Sequence, residues 1–313
     1  MSQYELAIIG GGPAGLTAGI YASRARIETV LVEKAICGGQ ILITDEIENF
    51  PGFPAGTKGP ELAESMEKQA LKFGLTVKNN QVLSVASNPD RSYTLTLDSG
   101  QPLQVKSIII SSGARWNSLN VPGEKEFIGR GVSYCGTCDG PLCRNKDVVV
   151  VGGGDTAIED ALFLTRFASK VTVIHRRDRL RAAKILQERA LKNDKMEFVF
   201  NAVPLEICGD KMVESIKVKN VLSGDIRLIT CKGVFVLIGM VPNSEMVKDM
   251  VKRDDKGYIV VDSDMCTSCE GVFAAGDVTR KSLRQVVTAT GDGASAAYSA
   301  QHYIDRLKGV EYK

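Results

Sequence analysis

The sequence predicts an α/β fold with two Rossmann-like domains, because one strand–turn–helix–strand pattern occurs twice in its 313 residues. The first copy runs from the apolar strand YELAIIG through GGGPAG into the helix LTAGIYASRA and the strand ETVLVE. The second copy runs from DVVVVG through GGGDTA into IEDALFLTRFAS and KVTVIHRR. Both copies place their glycines between a strand and a helix, which is the context that a dinucleotide-binding fingerprint requires.

Composition narrows the class of protein. The length suits about two domains, and 44% of the residues are hydrophobic, as in ordinary globular proteins. A net charge of +2 gives no sign of nucleic-acid binding or of a polybasic membrane anchor. The start, MSQYELAIIGG, does not resemble a signal peptide, and no apolar run reaches the roughly 18 residues of a membrane helix. We therefore expect a soluble, cytoplasmic protein.

Each glycine turn has the residues that a pyrophosphate site needs. The first glycine, Gly10 or Gly152, permits a tight turn, and the second, Gly12 or Gly154, lets a phosphate approach the backbone. A third small residue, Gly15 in one copy and Ala157 in the other, lets the helix pack closely on the strand. The helix N-terminus then offers free N–H groups to the pyrophosphate.

The residues at the end of the second strand of each copy indicate which nucleotide each site suits. Glu33 can accept hydrogen bonds from the hydroxyls of a ribose without a phosphate, so the first site suits FAD. The second strand runs into His175, Arg176 and Arg177, with Arg181 shortly after. Arginines bind a 2′-phosphate through charge-assisted hydrogen bonds, so the second site suits NADPH over NADH. The alternative is a solvated basic turn.

Two of the eight cysteines, Cys135 and Cys138, form a CxxC motif just before the second copy. Zinc would need two further ligands, and the other CxxC, Cys266 with Cys269, lies far outside usual zinc spacings. A static disulfide is uncommon in a reducing cytoplasm. A redox couple is favoured, with Asp139 as the adjacent group that can donate and accept a proton.

The chain resembles the low-molecular-weight, bacterial-type thioredoxin reductases along essentially its whole length. The matching stretches include GGGPAGLTAGIYASRA, ENFPGF, GVSYCGTCDG, VVGGGDTAIEDALFL, IHRRDRLRA and GVFAAGDV followed by RQVVTATGDG. The resemblance implies two domains of the three-layer ββα type. An FAD domain made of residues 1–116 and 246–313 would enclose an inserted NADPH domain at 117–245 that carries the CxxC motif.

The resemblance also implies a function. Electrons would pass from NADPH through FAD to the Cys135–Cys138 disulfide, with Cys138 as the sulfur that reacts with the flavin, and then to oxidised thioredoxin. The inserted domain would rotate between the two half-reactions, and the protein would be a homodimer. The alternative is an NAD(P)H-dependent flavoprotein that reduces another thioredoxin-like or peroxiredoxin-linked disulfide.

The same resemblance, together with the fingerprints, assigns candidate site residues. Cys135, Cys138 and Asp139 are the catalytic candidates, and no metal ligand is assigned. Candidate cofactor-binding residues in the FAD domain are Gly10, Gly12, Pro13, Ala14, Gly15, Glu33, Gly39, Gln40, Asn49, Val82, Gly113, Gly276, Asp277, Arg284, Gln285 and Val286. Those in the NADPH domain are Gly152, Gly154, Asp155, Thr156, His175, Arg176, Arg177, Arg181, Ile238 and Gly239.

Some residues depart from the family pattern. Cys37 and Cys143 stand where other residues are usual, and we interpret both as small buried apolar residues. Cys266 and Cys269 are also unusual; they form either a second redox relay or, as we favour, a coincidence in a loop.

Three competing functions are less well supported by the sequence. Alkyl hydroperoxide reductase flavoproteins carry an extra N-terminal thioredoxin-like module, whereas this sequence opens on the FAD strand. Ferredoxin–NADP reductases lack the CxxC motif, which is present here. A non-enzymatic NADP sensor would have no use for redox cysteines.

Overall fold

The computed structural model describes residues 4–44 and 46–310. Residues 1–3 and 311–313, at the two ends of the predicted FAD domain, lie outside the described residues. The start of MSQYELAIIGG, which we compared with a signal peptide, is therefore outside them as well. The α-helices are α1 (Pro13–Arg24), α2 (Gly59–Lys72), α3 (Gly136–Asp139), α4 (Asp155–Leu164), α5 (Lys184–Leu191) and α6 (Val286–Lys308). Short 3₁₀ turns cover Gly39–Ile43, Gly140–Cys143, Glu245–Val247 and Gly276–Val278.

The strands are short and fall into five sheets. They are β1 (Leu6–Ile9), β2 (Thr29–Glu33), β3 (Thr76–Asn79), β4 (Val82–Ser87), β5 (Tyr93–Leu97), β6 (Pro102–Val105), β7 (Ser107–Ile110), β8 (Ala114–Trp116), β9 (Val132–Ser133), β10 (Asp147–Val151), β11 (Lys170–Ile174), β12 (Met196–Val199), β13 (Ala202–Gly209), β14 (Val213–Asn220), β15 (Ile226–Thr230), β16 (Gly233–Val236), β17 (Met240–Pro242) and β18 (Val272–Ala274).

The chain divides into two compact units. Unit 1 contains the residues up to Arg115 together with those from Val241 onward, and unit 2 contains residues 116–240. The chain leaves unit 1 in β8 and returns to it in β17, and these two strands pair with each other. Unit 2 is thus inserted into unit 1 through a two-stranded connection.

Unit 1 has three layers around one parallel sheet with the strand order β18-β7-β1-β2-β3. Side chains alternate between the two faces of a strand. Leu6 and Ile8 pack among residues of α1, α2 and α6 on one face. Ala7 and Ile9 pack on the other face with Leu95 of the antiparallel sheet β4-β5-β6. This is the helix–sheet–sheet layering that the sequence predicts.

Unit 2 repeats the same plan with the parallel order β12-β11-β10-β16-β9. Val148 and Val150 face α4 and α5, whereas Val149 and Val151 face Ile216 of the antiparallel sheet β13-β14-β15. In both units a glycine turn follows the central strand of the parallel sheet, β1 or β10. Ligand sites of open α/β sheets lie at such carboxyl ends of strands.

Among residues 4–44 and 46–310, no helix combines the length and the apolar character needed to span a bilayer.

Candidate functional site

The first glycine turn leaves an open cradle at the start of α1. Gly10 has a φ of 106° and lies against the backbone of Ser111, where a Cβ would meet the carbonyl oxygen at 2.5 Å. Gly12 is the N-cap of α1, and a Cβ added there would meet nothing within 4 Å. Pro13 and Ala14 open the helix. The N-terminus of α1 therefore faces free space, as a pyrophosphate site requires.

Glu33, the last residue of β2, is held next to this turn. One carboxylate oxygen accepts a hydrogen bond from the Gly11 N–H at 2.7 Å, and the other accepts one from the Ala35 N–H at 3.1 Å. A carboxylate has about four acceptor positions, so capacity is left for ribose hydroxyls.

The other unit 1 candidates differ in whether their side chains are buried in the core. Gly39 has a φ of 59° and approaches Gly12, since a Cβ on it would lie 3.3 Å from the Gly12 Cα. Gln40 donates its side-chain amide to the carbonyl of Ala114, close in sequence to Gly113, which has a φ of 67°. Val82, in contrast, buries its side chain in the core between the sheets. Only its backbone could reach a ligand.

Among the unit 1 candidates, Asp277 gives the clearest indication of a ligand site. Its Oδ1 is buried and has no hydrogen-bond partner among residues 4–44 and 46–310. Burial raises the pKa of the Asp277 carboxyl, while the charges of Arg284 and Lys281 act in the opposite direction. Buried polar atoms are almost always hydrogen-bonded, so this oxygen fits a ligand hydroxyl. The preceding Gly276 lies against Ala14, where a Cβ on the glycine would be 2.9 Å from that side chain. Asp277 therefore follows a residue that packs on the first turn of α1.

A partly buried ion pair near Asp277 was not found by sequence reasoning. Asp292 of α6 accepts a hydrogen bond from the Gly276 N–H at 2.9 Å and pairs with Lys281. Each charged side chain is only 15% exposed. The GDG of RQVVTATGDG contains Asp292, but nothing in the pattern separates an inward from an outward acid.

The residues just before α6 make contacts with other residues of unit 1. The Arg284 guanidinium lies 4.2 Å from the centre of the Tyr258 ring. Gln285 is the N-cap of α6 and forms a capping box with Thr288, and it accepts a hydrogen bond from the Asn49 amide at 2.9 Å. Val286 is the first residue of α6. The predicted cofactor residues Asn49 and Gln285 thus meet across 236 positions of sequence.

The second glycine turn repeats this geometry in unit 2. A Cβ at Gly152 would lie 2.5 Å from the carbonyl oxygen of Leu237, just before Ile238 and Gly239. Gly154 is the N-cap of α4, and a Cβ there would meet nothing within 4 Å. Asp155 accepts a hydrogen bond from the Ala183 N–H at 2.7 Å, whereas Thr156 is exposed. The cradle at Gly154 is therefore open in the same way as that at Gly12.

The four basic candidates after β11 separate into one buried and three exposed side chains. His175 is buried beside Gly153, where a Cβ would lie 2.3 Å from its Nδ1. Burial, and then the charges of the neighbouring arginines, lower the pKa of His175. Arg176, Arg177 and Arg181 are exposed, and the Arg181 N–H donates to the Gly153 carbonyl at 2.7 Å. The backbone of Arg181 is thereby held next to the glycine turn, and all three guanidinium groups are open to a phosphate.

The CxxC motif is a disulfide on a very short helix. Cys135 and Cys138 are bonded, with 5.3 Å between their Cα atoms. Cys135 is the N-cap of α3, and its Sγ accepts a hydrogen bond from the Cys138 N–H at 3.2 Å and lies 3.4 Å from the Thr137 hydroxyl. Asp139 ends the same helix and is partly exposed. Both sulfurs lie on partly exposed residues, as a redox couple requires.

A second acid next to this motif was not singled out by sequence. Asp160 of α4 accepts a hydrogen bond from the Gly136 N–H at 2.9 Å. It is partly buried, and burial raises the pKa of its carboxyl. The helical spacing could have indicated this, because Asp160 stands between the buried residues Ala157 and Leu164, three and four positions away.

The remaining cysteines do not form a second couple. Cys37 and Cys143 are buried, as predicted, and burial raises the pKa of their thiols to about 12 and about 11. Cys266 and Cys269 are both free thiols. Cys266 packs against the core on the helix side of the unit 1 sheet, whereas Cys269 packs against the core on its other side. This favours the interpretation of two unrelated loop cysteines.

The whole chain is similar to known proteins of one family. Residues 4–293 match the family model described as pyridine nucleotide-disulphide oxidoreductase. The thioredoxin reductase of Treponema pallidum is 46% identical over 98% of this chain and 99% of its own. That of Peptoclostridium acidaminophilum is 46% identical over 96% of this chain and 97% of its own.

A solved structure gives the same result. The crystal structure of thioredoxin reductase from Streptococcus pyogenes has a TM-score of 0.92 and 43% identity, over 97% of this chain and 98% of that one. The predicted α/β fold with two Rossmann-like domains is confirmed. Membership of the family implies an oxidoreductase that uses a flavin and a pyridine nucleotide. The chain belongs to the pyridine nucleotide-disulphide oxidoreductases and, within them, to the thioredoxin reductases.

Proposed function

We propose that this protein is an NADPH-dependent thioredoxin-disulfide reductase that carries FAD. The observation that carries the proposal is the Cys135–Cys138 disulfide on partly exposed residues, inside the unit that also holds the second glycine turn. A flavin, when bound, would take a hydride from a nicotinamide and pass on an electron pair. The disulfide is the group of this chain that can receive that pair and offer it to another protein disulfide.

FAD is assigned to unit 1. Gly12 leaves room for a pyrophosphate at the N-terminus of α1. Glu33 offers acceptor capacity to an unphosphorylated ribose, and the buried Oδ1 of Asp277 needs a donor. Gly10, Ala14, Gly15, Gly39 and Gly276 form the close-packed backbone around this cradle. A dinucleotide with free ribose hydroxyls fits these groups better than one with a 2′-phosphate, because Glu33 would repel the phosphate charge.

NADPH is assigned to unit 2. Gly154 repeats the open cradle, and Arg176, Arg177 and Arg181 stand exposed beside it. An arginine offers a planar fork of N–H donors that matches a phosphate monoester. His175 contributes as a buried residue that supports Gly153 rather than as a charged ligand.

The residues around the disulfide suit exchange. Reduction of the bond by an electron pair yields two sulfur anions, and Asp139, next to Cys138, would deliver a proton to the Cys138 sulfur. The Cys135 sulfur is already a hydrogen-bond acceptor from the Cys138 N–H and lies near the Thr137 hydroxyl. These groups stabilise a thiolate at Cys135, which is the form that attacks a partner disulfide.

The disulfide and the second glycine turn belong to the same unit, so both would have to reach the flavin of unit 1 in turn. We propose that unit 2 rotates about the paired strands β8 and β17 between the two half-reactions. We further propose a homodimer that works in the cytoplasm, where six free cysteines would stay reduced.

An anaerobic titration tests the proposal. We expect the purified flavoprotein to bleach in its visible flavin band with NADPH and to gain two thiols per chain. It should then reduce oxidised thioredoxin with multiple turnovers. Cys138→Ser should still bleach but should not reduce thioredoxin. Turnover with a peroxiredoxin-linked partner but not with thioredoxin would favour the alternative partner, and a failure to bind FAD would refute the proposal.

A further inference from the structure

The helix that carries the disulfide packs directly on α4. A Cβ added to Gly136 would lie 2.7 Å from the Asp160 carboxylate, and one added to Gly140 would lie 3.1 Å from the ring of Phe163. Both glycines are buried. Two positions without side chains thus let the backbone of the CxxC turn approach the helix that begins at the second glycine turn.

One polar contact crosses this packing. The Gly136 N–H, the first N–H inside the motif, donates to Oδ2 of Asp160 at 2.9 Å. Burial and the neighbouring carboxylate of Glu159 raise the pKa of Asp160, and the Gly136 N–H lowers it. A partly buried carboxylate is therefore held within one residue of Cys135.

The Asp160 carboxylate lies where it can affect the ionisation of the Cys135 sulfur. Three N–H groups of α3 have acceptors: Asp160 takes that of Gly136, the Cys135 sulfur takes that of Cys138, and the Cys135 carbonyl takes that of Asp139. Free N–H groups at a helix start lower the pKa of a cysteine there and favour its reduced form. Asp160 occupies one such donor and adds a negative charge nearby, so it opposes a thiolate at Cys135.

We propose that Asp160 is a positioning residue that holds the CxxC turn on α4 and shifts the Cys135–Cys138 couple towards the disulfide. The inference rests on the proposed redox function of the pair. Reduction of the bond consumes two electrons and yields two sulfur anions, which take up two protons or, when Cys135 stays a thiolate, one. A carboxylate that disfavours the thiolate disfavours the products of that reaction, so it makes the couple a stronger reductant.

The test measures the couple itself, without NADPH or thioredoxin. The full-length flavoprotein is equilibrated in dithiothreitol redox buffers, and the reduced fraction of Cys135 and Cys138 is read by thiol labelling and mass spectrometry. We expect Asp160→Asn to shift the equilibrium about tenfold towards the dithiol, which is about 30 mV for a two-electron couple. The pH at which Cys135 is half-alkylated should fall as well.

Matched variants separate charge from structure. Asp160→Glu keeps the charge and should retain most of the wild-type equilibrium. Asp194→Asn, an exposed acid between α5 and β12, should behave as wild type. Asp160→Ser makes the same prediction as Asp160→Asn and replaces it if the amide variant does not fold. A thermal melt of each variant shows whether it is folded.

The outcomes are distinct. A folded Asp160→Asn or Asp160→Ser with the wild-type equilibrium and alkylation profile would overturn the inference, as would a shift towards the disulfide. Failure of wild-type protein to accept electrons from NADPH would count against the proposed function alone, because the buffers reduce the pair chemically.

Discussion

A Cβ at Gly15 would lie 1.9 Å from the carbonyl oxygen of Gly10, so only glycine allows α1 to pack on the end of β1 in this way. Gly12, three residues earlier on the same turn, has nothing within 4 Å of its Cβ position. One fingerprint therefore contains glycines of two kinds. Gly15 is required by the protein's own packing, whereas Gly12 is required only if a ligand occupies the space in front of it.

Gly12→Ala should fold and lose FAD. Its φ of −73° suits alanine, and the new methyl group enters empty space, so the midpoint of thermal unfolding of flavin-free protein should stay within a few degrees of wild type. The methyl group would occupy the place of the pyrophosphate. The flavin content of the purified protein, read from its visible absorbance, measures the effect. Wild-type flavin content would contradict the assignment of FAD to this turn.

Gly154→Ala should give the reciprocal result. It has a φ of −91° and a Cβ position with open surroundings. We expect full flavin content and a loss of NADPH binding, seen as an increase of at least tenfold in the NADPH concentration needed to bleach the flavin. Gly291→Ala, at an exposed position within α6 where a Cβ meets nothing, is the matched control and should leave both nucleotides bound.

Arg176 and Arg177 should set the preference for the phosphorylated nicotinamide. Replacing both with alanine removes two exposed cations from the end of β11 without touching the core. Loss of charge-assisted hydrogen bonds of about 1.5–3 kcal/mol each predicts a rise in KM for NADPH of at least tenfold. KM for NADH should stay nearly unchanged. Equal losses with both nucleotides would show that the arginines do not contact the 2′-phosphate.

Asp277→Asn should stabilise the flavin-free protein at neutral pH. Burial raises the folded-state pKa of Asp277 above its usual value, so its contribution to stability is present at low pH and is lost as the pH rises through that pKa. Asparagine removes the buried charge and should raise the free energy of unfolding at pH 7 by about 1 kcal/mol. The gain should vanish below a pH of about 4.

Denaturant titrations at several pH values measure this gain. Asp264→Asn, at an exposed position in the same unit, controls for the charge change alone. A constant gain at every pH would mean that titration of Asp277 is not its cause.

Glu124 should contribute strongly to the stability of unit 2. It is 1% exposed and accepts hydrogen bonds from the N–H groups of Leu119 and Asn120 and from the hydroxyl of Tyr134. Glu124→Ala leaves these donors unpaired and should cost about 3 kcal/mol of unfolding free energy. Glu126→Ala, an exposed neighbour, should cost little.

The single tryptophan provides a local readout of that change. Trp116 stacks on Tyr134 with 5.0 Å between ring centres. We expect its emission to change in Glu124→Ala and not in Glu126→Ala. Wild-type emission and stability in Glu124→Ala would contradict the role of the buried carboxylate.

Much of this protein can be predicted from local sequence. Two repeats of apolar strand, glycine turn and helix predict both parallel sheets and the strand ends where the candidate residues stand. The buried state of Cys37 and Cys143 is also confirmed. Local pattern did not reveal Asp160, Asp292 or Glu124, because exposed and buried acids look alike in a sequence until the partner N–H groups are known.

Strand and helix periodicity, glycine spacing and CxxC spacing are properties of neighbours along the chain, so they predict the class of fold, the two candidate nucleotide turns and the redox cysteine pair. The contacts of partly buried side chains follow from the tertiary structure instead: Asp160 on the Gly136 N–H, Asp292 on the Gly276 N–H, and Cys266 and Cys269 on opposite sides of one sheet. Those contacts join residues far apart in the chain, and a carboxylate's burial depends on where such a partner lies in space.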